Sequence, residues 1–182
     1  MGYTHYWRQN KDIPVEKWKI ITEAAQVFVS CLPGIDPGTA RSTPGRKLQL
    51  TRVGFKDDDP AAPQIDAGAI RLNGAGDSEN ARANDEEWEY AGETFLFPRK
   101  SFGQDSFTFC KTNRRPYDLV VCAILFVVDA VAPECVKISS DGDLEDWTPA
   151  IEWVRTLQRN NQLPKELPGY GLLQNLPRFL GE

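Results

Sequence analysis

The chain has 182 residues, 41% hydrophobic and 26% charged, with a formal net charge of −5. A chain of this length makes one domain that buries roughly 70% of its unfolded surface without staples, and the composition excludes global disorder, collagen and coiled coil. Net acidity makes it a poor binder of duplex nucleic acid, which requires surplus cations against phosphates, although residues 94–118 form a basic block.

GYTHYWRQ alternates around Tyr3, His5 and Trp7 and predicts a first strand. Trp18, Ile21, Ala25, Phe28 and Leu32 then fall at helical spacing, with Pro14 in the first turn and Pro33-Gly34 as the stop. Residues 33–46 read as a loop, and KLQLTRVGF (47–55) as a second strand with Leu48, Leu50 and Val53 inward. Asp57, Asp58 and Asp59, with Pro60 and Pro63, predict a solvated turn, and Ala69–Asn73 a short strand. Strands follow at Glu93–Phe97 and Ser106–Lys111.

RPYDLVVCAILFVVDAVAP predicts a helix with Pro116 near its start, apolar nearly all round and therefore buried on most sides. Its ten-residue apolar run, Leu119–Val128, is too short to span a bilayer. Val136–Ser139 is a strand, Asp141-Gly142-Asp143 a turn, and Glu145–Arg159 a helix with Trp147, Ile151, Val154 and Leu157 inward. The expected fold class is α+β: a mixed, largely antiparallel sheet of about six strands flanked by about three helices. It forms a single domain over 1–182, with a polar acidic insertion at about 74–92 and an irregular C-terminal tail at about 161–182.

Cys31, Cys110, Cys122 and Cys135 form no CxxC, and the N-terminus has no apolar signal core. These features predict a cytoplasmic protein with reduced thiols and no membrane contact. Cys110 and Cys122 read as inert buried thiols, although a Cys110–His5 pair is conceivable from their two strands. His5 is the only histidine, so HExxH, Cys2His2 and three-histidine metal sites are impossible within one chain. A carboxylate-only Mg²⁺ or Ca²⁺ site is chemically open around Asp141, Asp143, Glu145 and Asp146. The stronger reading is that Asp143 or Asp146 caps the last helix, so no metal and no cofactor is expected.

Two stretches carry the candidate chemistry. In FTFCKTNRRPYD (107–118), a basic turn leads into a helix start, where free backbone N–H groups and the dipole already favour an anion. Lys111, Thr112, Arg114 and Arg115 add donors, and Asp118 could instead neutralise an arginine. In the first strand, Tyr3, His5 and Tyr6 offer rings that stack and polar tips that hydrogen-bond. Nucleophile and phosphate motifs are absent: there is no GxSxG, SxxK, P-loop or dinucleotide fingerprint.

MGYTHYW at the start, Arg71-Leu72-Asn73-Gly74, Gly92-Glu93-Thr94-Phe95, FCKTxRxPYD at Phe109–Asp118 and SSDGD at Ser139–Asp143 together resemble a set of uncharacterised bacterial and bacteriophage proteins. The resemblance covers roughly residues 1–8 and 70–160, and it assigns no activity. It implies that these polar and aromatic blocks, placed at strand ends and turns, converge on a ligand site. The expected site joins Tyr3, His5, Tyr6, Arg71, Asn73, Lys111, Thr112, Arg114 and Asp118, with Asp141 and Asp143 at its rim.

The resulting expectation is a small-molecule binding protein for an anionic, nucleotide-like ligand; the phage resemblance suggests sequestration of a host signalling nucleotide. One alternative is an enzyme acting on phosphodiester, ADP-ribose-like or glycosidic bonds, with His5 and Asp118 as acid and base. Another is a protein–protein inhibitor using the acidic insertion. A homo-oligomer is compatible with either.

Overall fold

The computed structural model describes residues 2–33, 48–52, 61–75, 92–103 and 105–167. The expectations for the loop at 34–46, Val53, the Asp57–Asp59 turn, the interior of the insertion and the tail beyond 167 lie outside these residues. In chain order the elements are β1 (His5–Gln9), α1 (Val15–Ser30), β2 (Leu50–Thr51), β3 (Gln64–Ile65) and β4 (Ala69–Gly74). They continue with β5 (Phe95–Pro98), β6 (Ser106–Cys110), α2 (Asp118–Val131), β7 (Val136–Ser140) and α3 (Leu144–Arg159).

The α+β class holds, but the strands divide into two antiparallel sheets, three-stranded and four-stranded, and not one mixed sheet. In the first sheet β1 lies between β6 and β7, antiparallel to both. His5 faces Cys110 on one side and Ser140 on the other. The chain thus runs β6–α2–β7 as a crossover split by the first strand. In the second sheet β4 pairs with β2, β3 and β5. β3 was not anticipated: two residues are too few for alternation to register, and they become a strand through pairing with Ile70 and Arg71.

Alternation in β1 buries His5, Trp7 and Gln9 and leaves Arg8 outside, and Tyr3, just before the strand, is buried too. Trp7 meets Phe95 and Phe97 of β5, each at 5.5 Å, and Trp18 of α1 stacks on Phe97 at 6.2 Å. This aromatic cluster joins the two sheets and the first helix. Apart from Ala130, every residue of α2 is buried, because the helix packs against α1, α3 and β7 at once. α3 is amphipathic and turns Trp147, Ile151, Val154 and Leu157 inward, as its spacing predicts.

Ile124, at 1% exposure, sits in the middle of α2. Truncation of Ile124→Ala is expected to cost about 2–5 kcal/mol. In urea unfolding this is a lower midpoint at unchanged slope. A midpoint within error of wild type would refute the central place given to α2.

Candidate functional site

The inward face of β1 meets α2 and β7 at the only histidine. His5 has no exposed surface. Its Nε2 lies 2.7 Å from Asp118 Oδ1, and its Nδ1 lies 3.0 Å from Ser140 Oγ. Cys122 Sγ approaches both partners of the first pair, at 3.5 Å from His5 Nε2 and 3.6 Å from Asp118 Oδ2. The sequence produces this meeting in two ways. Asp118 and Cys122 are four apart, so α2 presents them on one face; Ser140 is the register partner of His5 across β1 and β7. Edge contacts from Tyr3 at 4.9 Å and Trp147 at 5.1 Å fix the imidazole plane.

Tyr3 forms the next layer. Its hydroxyl is enclosed beside Ser140 and Cys122, yet no protein group completes a hydrogen bond to it. Burial foremost, then the nearby Cys122 and Asp118, pushes the phenol well above its ordinary range. Burial foremost, then Asp118, does the same to the Cys122 thiol. A Cβ at Gly142 would come within 2.5 Å of the Tyr3 ring, so the turn before α3 needs glycine there for close approach.

Arg114 closes the cluster from above. Asn113 and Arg114 both have left-handed backbone, φ 54° and 55°, a conformation unfavourable for an arginine and found most often where geometry is imposed by function or packing. It carries the guanidinium over the Tyr3 ring at 4.1 Å and into a fork with Asp146, at 2.6 and 3.0 Å. Asp146 therefore neutralises the arginine and not Asp118, which is engaged by His5. Arg114 hydrogen bonds hold the Asp146 carboxyl below its ordinary value of 3.8. Asp143 and Asp146 form a reciprocal capping box at the start of α3, as the turn sequence suggests.

The other expected residues fall into separate groups. Asn73 clamps Gly74, Gly92 and Thr94 together. Its Oδ1 accepts from the Gly74 and Gly92 N–H groups, and its Nδ2 donates to Gly92 O and Thr94 Oγ1. From there Glu93 accepts from the Lys111 N–H, the Tyr117 hydroxyl and the Cys110 thiol. Burial pushes the Cys110 thiol up to about 12. Cys110 is thus a strand neighbour of His5 whose sulfur points elsewhere, and Cys122 is the thiol that reaches the ring. Thr112 is buried with its hydroxyl unpartnered, Lys111 is exposed, and Arg71 lies in the second sheet between Gln64 and Leu96. Tyr6 points away from the cluster and donates to Asp141, at 3.1 and 3.2 Å to its two oxygens.

The outward face of the first sheet is a second distinctive surface. Strand register sets Phe107, Arg8 and Lys137 in one row, and Phe109, Tyr6 and Ser139 in the next. Phe107 and Phe109 are each 52% exposed. Tyr6 stacks on Phe107 at 6.0 Å, and Arg8 lies over the same ring at 5.0 Å. Sequence reasoning missed the two phenylalanines, Arg8 and Lys137, whose signal was the outward parity of alternating strands. It also missed Ser140, Cys122 and Asp146 as partners of the expected residues. Among the described residues, the donors close enough to share a metal ion are His5, Asp118 and Cys122.

No protein-family model matches the chain, nor does any curated protein or solved structure. The site must be interpreted from its own geometry.

The Arg114–Asp146 fork gives a pH dependence with a defined sign. A carboxylate depressed on folding adds stability that is complete above its ordinary value of 3.8 and is lost as pH falls through the lower folded value. Asp146→Asn is expected to lower the unfolding midpoint at neutral pH and to converge with wild type in strong acid. Denaturant titrations at several pH values check this; a gap independent of pH would refute it.

Proposed function

We propose that the protein binds a nucleobase-bearing phosphate ligand on the outward face of its first sheet. The carrying observation is the row in which Arg8 and Lys137 stand directly opposite each other beside Phe107. Like charges in register on neighbouring strands repel, and among the described residues neither cation forms a salt bridge. A phosphate between them relieves that repulsion. Phe107, Phe109 and Tyr6 supply the stacking surface for a base. Such stacking is worth about 1–3 kcal/mol per base and tolerates any base.

This reading keeps the nucleotide-like anion expected from the sequence and moves its place. The inward cluster offers a ligand little access: His5 has no exposed surface and the Arg114 fork is already taken by Asp146. An enzyme using His5 and Asp118 would need substrate to reach that enclosed ring. The outward face needs no rearrangement, and its open sheet favours an extended ligand. Asp141, bound by Tyr6, sets an acidic limit at one corner.

The test is fluorescence anisotropy with labelled mononucleotides, cyclic dinucleotides and short single-stranded oligonucleotides. Phe107→Ala with Phe109→Ala is expected to weaken binding about tenfold or more, because each truncation removes stacking. Arg8→Glu should weaken it further and flatten its salt dependence. Both changes lie on exposed positions, so circular dichroism should be unchanged. Absence of binding by wild type to all three ligand types, or equal binding by the variants, would refute the proposal.

A further inference from the structure

We propose that His5 Nε2, an Asp118 carboxylate oxygen and Cys122 Sγ form a binding site for a zinc-class divalent cation, with its fourth position facing the Tyr3 hydroxyl. This inference is independent of the nucleotide reading, since it concerns the opposite face of β1.

Three observations carry it. The first is distance. All three donor atoms lie within 4.8 Å of one another. A tetrahedral centre with ordinary zinc bond lengths needs sulfur about 3.5–3.6 Å from its nitrogen and oxygen neighbours. Cys122 Sγ stands 3.5 Å from His5 Nε2 and 3.6 Å from Asp118 Oδ2. The His5–Asp118 hydrogen bond, at 2.7 Å, is the one contact shorter than the tetrahedral edge, and it must open to about 3.4 Å on insertion of the ion.

The second is the surplus polar group. Tyr3, at 1% exposure, turns its hydroxyl toward Cys122 and Ser140 without reaching full hydrogen-bond geometry with either. A buried polar atom left without a partner costs free energy, and a cation at this point would engage it directly or through one bound water. The third is the support around the histidine. Its Nδ1 bonds Ser140 Oγ, and Tyr3 and Trp147 hold its plane. A metal-binding histidine is ordinarily oriented through its other ring nitrogen in this way.

The donor chemistry selects the ion. One imidazole, one thiolate and one carboxylate suit zinc and its neighbours; Mg²⁺ and Ca²⁺ prefer oxygen throughout. On binding, Cys122 gives its thiol proton to solvent and ligates as thiolate. The two negative ligands then balance the dication, so the buried centre carries no net charge.

The experiment uses the full chain, purified without a polyhistidine tag and stripped by chelator. Wild type is expected to take up a single equivalent of Zn²⁺ by elemental analysis, with a rise in melting temperature. With Co²⁺ it should show a thiolate-to-cobalt charge-transfer band and tetrahedral d–d absorption. Cys122→Ala should lose the charge-transfer band, and Cys110→Ala, whose sulfur faces Glu93, should keep it. Wild type alone suffices if the Cys122 variant does not fold: stripped protein that gains neither band nor stability overturns the proposal. So does a band that survives in folded Cys122→Ala.

Discussion

A buried imidazole with a carboxylate on one nitrogen and a hydroxyl on the other sets the terms for much of this fold. The pair joins the middle strand of the first sheet to the first turn of its most buried helix. Removing one partner of a buried hydrogen bond typically costs about 1–3 kcal/mol, because the other is left unsatisfied away from water. The surroundings therefore have to hold β1, α2 and β7 in register to within a hydrogen bond. Ser140 does so through strand pairing, Trp147 through the start of α3, and Tyr3 through its edge on the ring. Arg114 then locks Tyr3 and α3 together through a strained backbone.

The same strand serves two surfaces with different physics. Even and odd residues of β1 point to opposite sides, so His5, with Tyr3 just before the strand, enters the polar cluster while Tyr6 and Arg8 line an open sheet face. The inward groups around His5 are buried and hydrogen-bonded to one another, and the Tyr3 hydroxyl lies enclosed beside them. The outward groups are aromatic and cationic and remain in water. One surface suits a small ion held by short bonds; the other suits a flat ring and a phosphate held by contact area and charge.

Much of this was legible in the sequence. The stripe Trp18–Ile21–Ala25–Phe28 and the spacing Trp147–Ile151–Val154–Leu157 place two helix faces, and the all-apolar run after Pro116 places the third helix in the core. Alternation put Tyr3, His5 and Trp7 on one side. Division into two sheets was not readable, because which strands pair is decided by long-range contacts such as Trp7 on Phe95 and Phe97. The site was half legible. FTFCKTNRRPYD and SSDGD do supply Arg114, Asp118 and Ser140, but Arg114 turned out to serve Asp146 and not a ligand. Cys122 was hidden because an apolar helix makes a cysteine look like filler; its spacing of four from Asp118 was the clue.

Asn73 has a consequence for how the chain tolerates change. A single side chain binds the backbone at both Gly74 and Gly92, so it holds these two points of the chain side by side. With the two ends already held together, added length between them costs only about 0.6 kcal/mol of closure entropy per doubling. An engineer seeking a place to graft a reporter or a second domain would find its insertion port between these two glycines.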